Sequence, residues 1–316
     1  MIVSYIARRI VLTIPAMFAM SFLVFFIIRL VPGDPAQVIL GLRATPESLA
    51  TLREQLHLND PLLVQYGNWL KNVLQGDFGV DYRTHESIAH MIWTRLPVTL
   101  EMAVLALLFA AIVGIPLGIV AAAKRGPADV ASSALGLFGI SMPEFWLGVM
   151  LILLFPLELG WLPSSGYVPL RDSVWGNISH MILPAATLGV NFAAVLTRTT
   201  RSAVAEVLNR PYVRTARAKG LQERSIVIGH VLRNASLPIL TVLGMQFGYA
   251  LGGAVIIEQV FALPGVGRLT LNAVLERNYP VVQGSVLLVT FLFMLTNIVT
   301  DSLFAVIDPR IRSNRR

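Results

Sequence analysis

Cysteine is absent from the 316 residues, which excludes a disulfide framework, a thiolate nucleophile and any cysteine-ligated metal. An exported portion must then hold together without covalent staples, by leaning on the rest of the fold. Charge is scarce too. Only 14% of residues are Asp, Glu, Lys or Arg, against about 25% in a soluble domain. Lysine occurs at only three positions, Lys71, Lys124 and Lys219, and none follows a glycine. The phosphate-cradling pattern GxxxxGK[ST] therefore cannot occur, and any ATP that drives this chain must be bound by a separate polypeptide. The histidines His57, His85, His90, His180 and His230 are scattered, and the spacing of His85 and His90 does not set two ligands on one helical face. No serine elbow, HExxH or carboxylate pair marks hydrolytic chemistry. The chain is read as having no catalysis, metal or cofactor of its own.

What is present is apolar: 55% of the residues are hydrophobic. Six runs stand out, at Ile10–Val31, Thr99–Ala123, Ala134–Leu157, Ile182–Thr200, Leu237–Ile257 and Val281–Ile307. Each is long enough to cross about 30 Å of hydrocarbon. The first is longer than a signal-peptide core, and PGDP at Pro32 to Pro35 follows it instead of a small-x-small cleavage site. A retained span with a cytoplasmic N-terminus is expected. Arg29, near its outer end, suits snorkelling to the head groups. Arg8 and Arg9, Lys124 and Arg125, the cluster from Arg198 to Arg233 and the tail residues Arg310, Arg312, Arg315 and Arg316 all fall on one side. That side holds roughly twice the Lys and Arg of the other, which makes it cytoplasmic. Six spans with both termini inside is the consistent solution. The net charge of +7 then reports topology, not nucleic-acid binding. Trp93, Trp161 and Trp175 fall at the outer interface, as an aromatic belt places them.

The chain divides into a cytoplasmic N-terminus and first span (1–31), an extracytoplasmic segment (32–96), a membrane core (97–308) with a cytoplasmic loop (201–235), and a tail (309–316). Three helices are expected in the outer segment. Thr45-Pro46-Glu47 gives a cap, a first-turn proline and an acidic start. Asp60-Pro61 opens a helix that ends at Gly76, and Thr84 with Glu86 begins a third. Together they read as a small helical cap on the outer face. The outer loops GWLPSSG (Gly160 to Gly166) and FALPGVGRL (Phe261 to Leu269) carry enough glycine and proline to turn tightly and dip back towards the bundle.

Gly244, Gly248 and Gly252 recur at every fourth position of the fifth run, and Gly114 and Gly118 do so in the second. Such spacing lets helix backbones approach closely in lipid, either for packing or across a moving interface. Glu144 and Asp301 fall inside the hydrocarbon zone, where a carboxylate belongs to a pathway or to a buried partner. Glu101 and Glu258 lie nearer the outer ends, within reach of interfacial water. Asn191, Gln246 and Asn297 are intramembrane amides suited to interhelical bonds or to lining a route. Glu144, Gln246, Asn297 and Asp301 are the pathway candidates.

The densest basic stretch is Asn209 to Asn234. Pro211 suits a helix's first turn and Gly220 the left-handed residue just past its end. Arg210, Arg214 and Arg217 form a stripe that continues to Leu221 and Arg224, while Tyr212, Ala216 and Gly220 form a thinner face. This is either a helix that docks in a partner's groove or a basic loop resting on anionic lipid.

YVRTARAKGL, Tyr212 to Leu221, resembles the coupling motif of binding-protein-dependent ABC permeases, specifically the dipeptide/oligopeptide/nickel permease family. ARRI at the start, VPGDPA at Val31 to Ala36, GDFG at Gly76 to Gly79, SMPEFWLG at Ser141 to Gly148, HxILP at His180 to Pro184, VFALPGVGRL at Val260 to Leu269 and IDPRIR at Ile307 to Arg312 share the likeness. The general permease pattern is Glu-Ala-Ala, then glycine, then Ile-x-Leu-Pro. Here Arg214, Thr215 and Ala216 stand for the first three, Gly220 for the glycine, and His230, Leu232 and Arg233 for most of the rest. That variant is usual in the peptide branch.

The resemblance implies an all-α membrane protein with the six-span type I ABC importer permease fold, and a helical extracytoplasmic insertion between spans one and two. It implies an inner-membrane location and a path for di- or oligopeptides. Its partners would be a second, homologous permease, two ATPase subunits that bind ATP and Mg, an extracytoplasmic solute-binding protein and membrane lipid. Tyr212, Arg214, Ala216, Arg217, Lys219, Gly220 and Leu221 would couple to the ATPase. Two other readings stay open: the same machinery carrying nickel chelates, glutathione or another small solute, and an ATP-independent channel or carrier.

Overall fold

Proline and glycine punctuate the helices much as their backbone preferences dictate. The computed structural model describes residues 2–30, 35–41, 44–55, 58–123, 136, 139 and 141–307; of some helix-end side chains, Arg29 and Asp301 among them, only the backbone is described. Lys124, Arg125 and the tail from 308 onwards lie outside the described residues. Helix α1 is Ile2–Leu30, α2 Pro35–Leu40, α3 Pro46–Gln55 and α4 Leu62–Leu74. Both α3 and α4 begin where proline pre-sets φ for a first turn. Thr45 caps α3, its Oγ1 accepting from the Ser48 N–H at 3.2 Å. After α4 the chain turns left-handed at Gly76, φ 83°, a conformation glycine adopts at little cost.

The third expected outer helix is not a separate element. Residues 79–88 form a tight turn, with a bridge between Val80 and Ser87 and the Ile88 N–H donating to the Gly79 carbonyl at 3.1 Å. Helix α5, Ile88–Ala123, then runs unbroken through Pro97 into the second span. Packing explains the continuity. Ile88, Met91 and Ile92 are buried against Leu269, Ala273 and Val281, so this outer stretch already belongs to a core.

Helix α6, Glu144–Ile152, starts directly after Pro143 and widens at its end into a π-helical stretch, Leu153–Glu158. It belongs to the third run, of which residues 134, 135, 137, 138 and 140 lie outside the described residues. Helix α7, Val174–Leu208, is 35 residues long, about 52 Å at 1.5 Å per residue. It overshoots the expected span Ile182–Thr200 at both ends. Ser173 caps it, its Oγ accepting from the Gly176 N–H at 3.0 Å. Helix α8 is Pro211–Ala218, and α9, Glu223–Gly253, carries the fifth span with a π-helical stretch at Ile226–Val231. Two short outer helices follow, α10, Val255–Val260, and α11, Val266–Leu275. The last helix is α12, Tyr279–Ile307.

Among the described residues, four helical segments are long and apolar enough to cross a membrane: Ile88–Ala123, Val174–Leu208, Glu223–Gly253 and Tyr279–Thr300. Helix α1 contributes the shorter apolar stretch Val11–Ile27. The most extensive helix contact is α5 on α7, and the glycines explain it. A Cβ on Gly114 would stand 2.8 Å from the Ala193 carbonyl oxygen, and one on Gly118 2.7 Å from that of Thr197. From the other side, a Cβ on Gly189 would meet Phe109 at 2.7 Å. Such close backbone approach is how helices associate where lipid offers no hydrophobic drive. The fifth-run glycines divide by role. Gly244 and Gly248 admit Thr300 and Phe293 of α12, whereas Gly252 has no heavy atom within 4 Å of the Cβ position.

Both outer loops do turn back. The Gly166 N–H donates to the Phe261 carbonyl at 2.9 Å, and Phe261 and Leu263 are buried. Trp93, Trp161 and Trp175 are all strongly exposed on the outer side.

Candidate functional site

Helix α8 is held by few contacts, and they define its free face. Val213 and Ala216, three residues apart, are its buried positions, and it packs on the π-helical start of α9. Tyr212, Arg214, Arg217, Lys219, Gly220 and Leu221 are exposed. Ala216 therefore faces the chain's own bundle, and the thin face expected from Tyr212, Ala216 and Gly220 is not the outward one. The signal was present in the sequence, because Val213 is the one large aliphatic side chain of PYVRTARA.

Two arginines of the expected stripe are used internally. Arg210 pairs with Glu206 of α7 at 2.5 Å, and Arg217 pairs bidentately with Glu223 of α9, at 2.5 and 3.2 Å. The hydrogen bond to Glu223 pushes the Arg217 guanidinium above its ordinary value. Gly220 closes the turn in the left-handed region, φ 78°, its N–H donating to the Arg217 carbonyl at 2.9 Å. The two surface pairs join α8 to α7 and α9, and burial of Val213 and Ala216 seats it on the bundle. Among the described residues Arg214 has no ion pair, and with Tyr212 and Lys219 it makes the outward chemistry.

At the other end, Glu258 is fully buried and does not reach interfacial water as its position in the sequence suggested. Its carboxylate accepts from the Thr99 hydroxyl at 2.6 Å and from the Arg268 N–H at 2.7 Å. The Val266 N–H in turn donates to Thr99 Oγ1 at 2.9 Å. The pair satisfies orphan donors at the start of α11, where a negative charge also suits the helix dipole. Gly265 and Gly267 lie so close that a Cβ on either would crowd the carboxylate, which accounts for LPGVG. Glu101 likewise has a local partner, accepting from the Tyr167 hydroxyl at 2.8 Å. Burial and this hydrogen bond push the Tyr167 phenol up to about 12.

The outer turn is tied to the same region. Asp81 is buried and accepts from the Asn278 amide at 2.6 Å and the Arg83 N–H at 2.7 Å, while the Arg83 side chain pairs with Glu276 at 2.7 Å. Burial pushes the Asp81 carboxyl up, but bonds from Arg83, Asn278 and Thr84 outweigh it and hold it below its ordinary value. The stability this group contributes is thus present above its unfolded pKa of about 4 and lost as pH falls through the lower folded value. Asp81→Ala is expected to loosen the outer turn at neutral pH, and the parent turn is expected to loosen only below about pH 4. Proteolysis of the external segment in right-side-out vesicles measures both; a cleavage rate unchanged by the substitution would contradict the assignment.

Among the described residues, no hydrogen bond or ion pair joins one pathway candidate to another. Gln246 is buried between α7 and α9, its Nε2 donating to the Phe192 carbonyl at 3.0 Å as an interhelical bond. Asn297 is half-buried, on the same helical face as Phe293 and Thr300, the residues that fill the α9 glycine notches. Glu144 is half-buried at the first position of α6, within electrostatic reach of Tyr249. The side chain of Asp301 lies outside the described residues. Sequence reading missed the stripe Met245, Tyr249, Gly252 and Ile256, exposed at spacings of four, three and four along the fifth span and its continuation. It is the open face of α9, flanking the glycine contacts with α12.

Residues 114–313 match the family described as binding-protein-dependent transport system inner membrane component, and residues 2–103 match the corresponding N-terminal component. A putative peptide transport system permease protein of Brucella melitensis is 43% identical over 99% of each chain. The dipeptide transport system permease protein DppB of Alkalihalophilus pseudofirmus is 41% identical over 98% of this chain and 99% of its own length. The glutathione transport system permease protein GsiC of Escherichia coli K12 is 42% identical with the same coverage. Among solved structures, an inward-facing MetNI methionine ABC transporter aligns with a TM-score of 0.57 at 19% identity, covering 69% of this chain and 96% of its own. That likeness shows the fold.

Proposed function

The chain belongs to the binding-protein-dependent transport system inner membrane component family, and on that premise we propose that it imports di- or oligopeptides as one half of a translocation pathway. It is an inner-membrane permease subunit of an ABC importer. Peptide as cargo is supported by relatives at 41–43% identity whose names carry peptide or dipeptide transport. The glutathione relative favours one alternative, a peptide-like solute of similar size.

The observation that carries the coupling mechanism is α8. Its buried side fixes it to the bundle and its exposed side presents Tyr212, Arg214 and Lys219, while the chain contains no phosphate-cradling lysine loop. ATP and Mg then belong to two partner ATPases, each with a groove for a coupling helix. Closure of the ATPases draws α8 with it, and the pairs to Glu206 and Glu223 pass the displacement to α7 and α9. The open stripe Met245, Tyr249, Gly252 and Ile256 faces a second, homologous permease and the route between them, with Glu144 beside it. A solute-binding protein delivers cargo from outside. Binding of nucleotide and of cargo are then reciprocally coupled through one two-state bundle, and the chain itself catalyses nothing.

Proteoliposomes holding this chain alone are expected to show no peptide uptake. Adding the partner permease, both ATPases, the binding protein and ATP is expected to produce it. Uptake by the isolated chain, indifferent to ATP, would replace this reading with a channel or carrier.

A further inference from the structure

The external segment does not stand clear of the membrane. Helix α4 packs on α1 through Tyr66, whose ring meets Phe18, Phe22 and Phe25 at centroid distances of 5.8, 5.4 and 5.4 Å. The Tyr66 hydroxyl bonds Ser21 Oγ at 2.8 Å, and Trp69 meets Phe25 at 5.5 Å. These α1 residues lie inside its apolar stretch Val11–Ile27, about 3 to 14 Å before its outer end at 1.5 Å per residue. Phe18 and Phe22 nevertheless remain largely exposed, as do Leu23 and Ile27, as lipid-facing side chains of a span do. A helix lying against that level shares its surroundings.

The exposed surface of α4 has the matching pattern. Leu63, Leu70 and Leu74 recur at spacings of seven and four, one stripe beside the Tyr66 face, and Leu63 and Leu74 are 70% and 79% exposed. Asn68, Asn72 and Gln75 occupy the far side with Val64 among them, and Lys71 sits at its edge. Gln65 fixes the entry, its amide donating to the carbonyls of Leu58 at 3.1 Å and Asp60 at 2.8 Å. An apolar stripe, a polar face with a lysine and an aromatic pair at the seam are the marks of a helix lying in a membrane interface.

We propose that α4 is embedded in the outer leaflet, with Leu63, Leu70 and Leu74 among the acyl chains and Asn68 to Gln75 of its polar face towards the head groups. It braces the first span from the outside. The inference rests on the family's membrane placement of α1 and is independent of cargo and of coupling. Continuity with the lipid-facing side of α1 selects lipid over a protein partner as the occupant.

The cysteine-free sequence makes the test direct. L63C, L74C and N68C are introduced singly into the complete transporter in right-side-out vesicles. A membrane-impermeant sulfonated maleimide is expected to modify N68C about tenfold faster than L63C or L74C, while a permeant maleimide reaches all three. Bimane at L74C, in nanodiscs containing phosphatidylcholine with a nitroxide on the upper acyl chain, is expected to be quenched about twice as strongly as at N68C. Equal, rapid modification of all three would place α4 in water and overturn the proposal. Protection at L63C and L74C without nitroxide quenching would overturn it too, by showing that protein covers the stripe. Failure of either kind leaves uptake by the parent transporter intact, so it is distinguishable from failure of the functional reading.

Discussion

Replacing Glu258 by alanine is expected to cost about 3 kcal/mol or more, and to cut the yield of folded, extractable transporter accordingly. The carboxylate is fully buried, and its removal strands the Thr99 hydroxyl and the Arg268 N–H, both of which donate to it. Each buried donor left without an acceptor costs about 1–3 kcal/mol, and a void replaces the side chain besides. Glu258→Gln keeps one acceptor oxygen but turns an amide NH2 towards backbone N–H groups, so it should fall between the parent and alanine. The glycines sharpen the test. A Cβ on Gly265 collides with the Glu258 carboxylate and nothing closer. Gly265→Ala should therefore be severe alone and much milder beside Glu258→Ala. For Gly267 the Cβ also meets the Val255 backbone at 2.9 Å, so Gly267→Ala should stay costly in both backgrounds. Thermal stability of the four combinations at each glycine gives the coupling energy. Strict additivity at Gly265 would mean that the carboxylate is not what forbids a side chain there.

Glu258 also marks where sequence reading stops. Its place near the end of an apolar run said that water was in reach. Its real partner, Thr99, is 159 positions away, and no local spacing brings the two together. The same holds for Asp81 and Asn278, 197 positions apart. Local grammar fared better. Thr45-Pro46, Pro61, Pro211 and Gly220 set helix boundaries through backbone preferences that act within a few residues, and each was legible. Gly114 and Gly118 announced close packing through their spacing, although only the structure shows that α7 fills the gap. Thr84 and Glu86 misled because a cap-like pair is equally at home in a turn. What decides there is burial of Ile88, Met91 and Ile92 against α11 and α12, a tertiary effect that overrides local signals. On α8 the arginine spacing is legible, and the partners of those arginines are not. Glu206 and Glu223, just outside the motif, capture Arg210 and Arg217 and leave Arg214 as the outward guanidinium.

That distinction carries the second large effect. The double substitution Tyr212→Ala/Arg214→Ala is expected to lower ATP-driven uptake by about thirtyfold or more, with normal membrane insertion and chain level. Both side chains are exposed on α8 and neither supports its fold. An aromatic and an arginine at the centre of a docked helix are the residue types that carry binding energy, about 2 kcal/mol or more each. Val213→Asp should behave differently. Its side chain is fully buried, so a carboxylate there unseats α8 from the bundle and lowers the amount of chain recovered. Gly220 separates strain from contact. No atom lies within 4 Å of its Cβ position, so a side chain meets only the cost of φ 78°, about 1 kcal/mol and less for asparagine. Gly220→Asn should therefore keep most uptake, whereas Gly220→Asp adds a negative charge to the outward basic face and should uncouple or dissociate the ATPase without preventing insertion. Co-purification of the ATPase with each variant reads docking directly, apart from transport. Full uptake and full co-purification by Tyr212→Ala/Arg214→Ala would show that the ATPase grips the permease elsewhere, and would return the basic face of α8 to the lipid head groups.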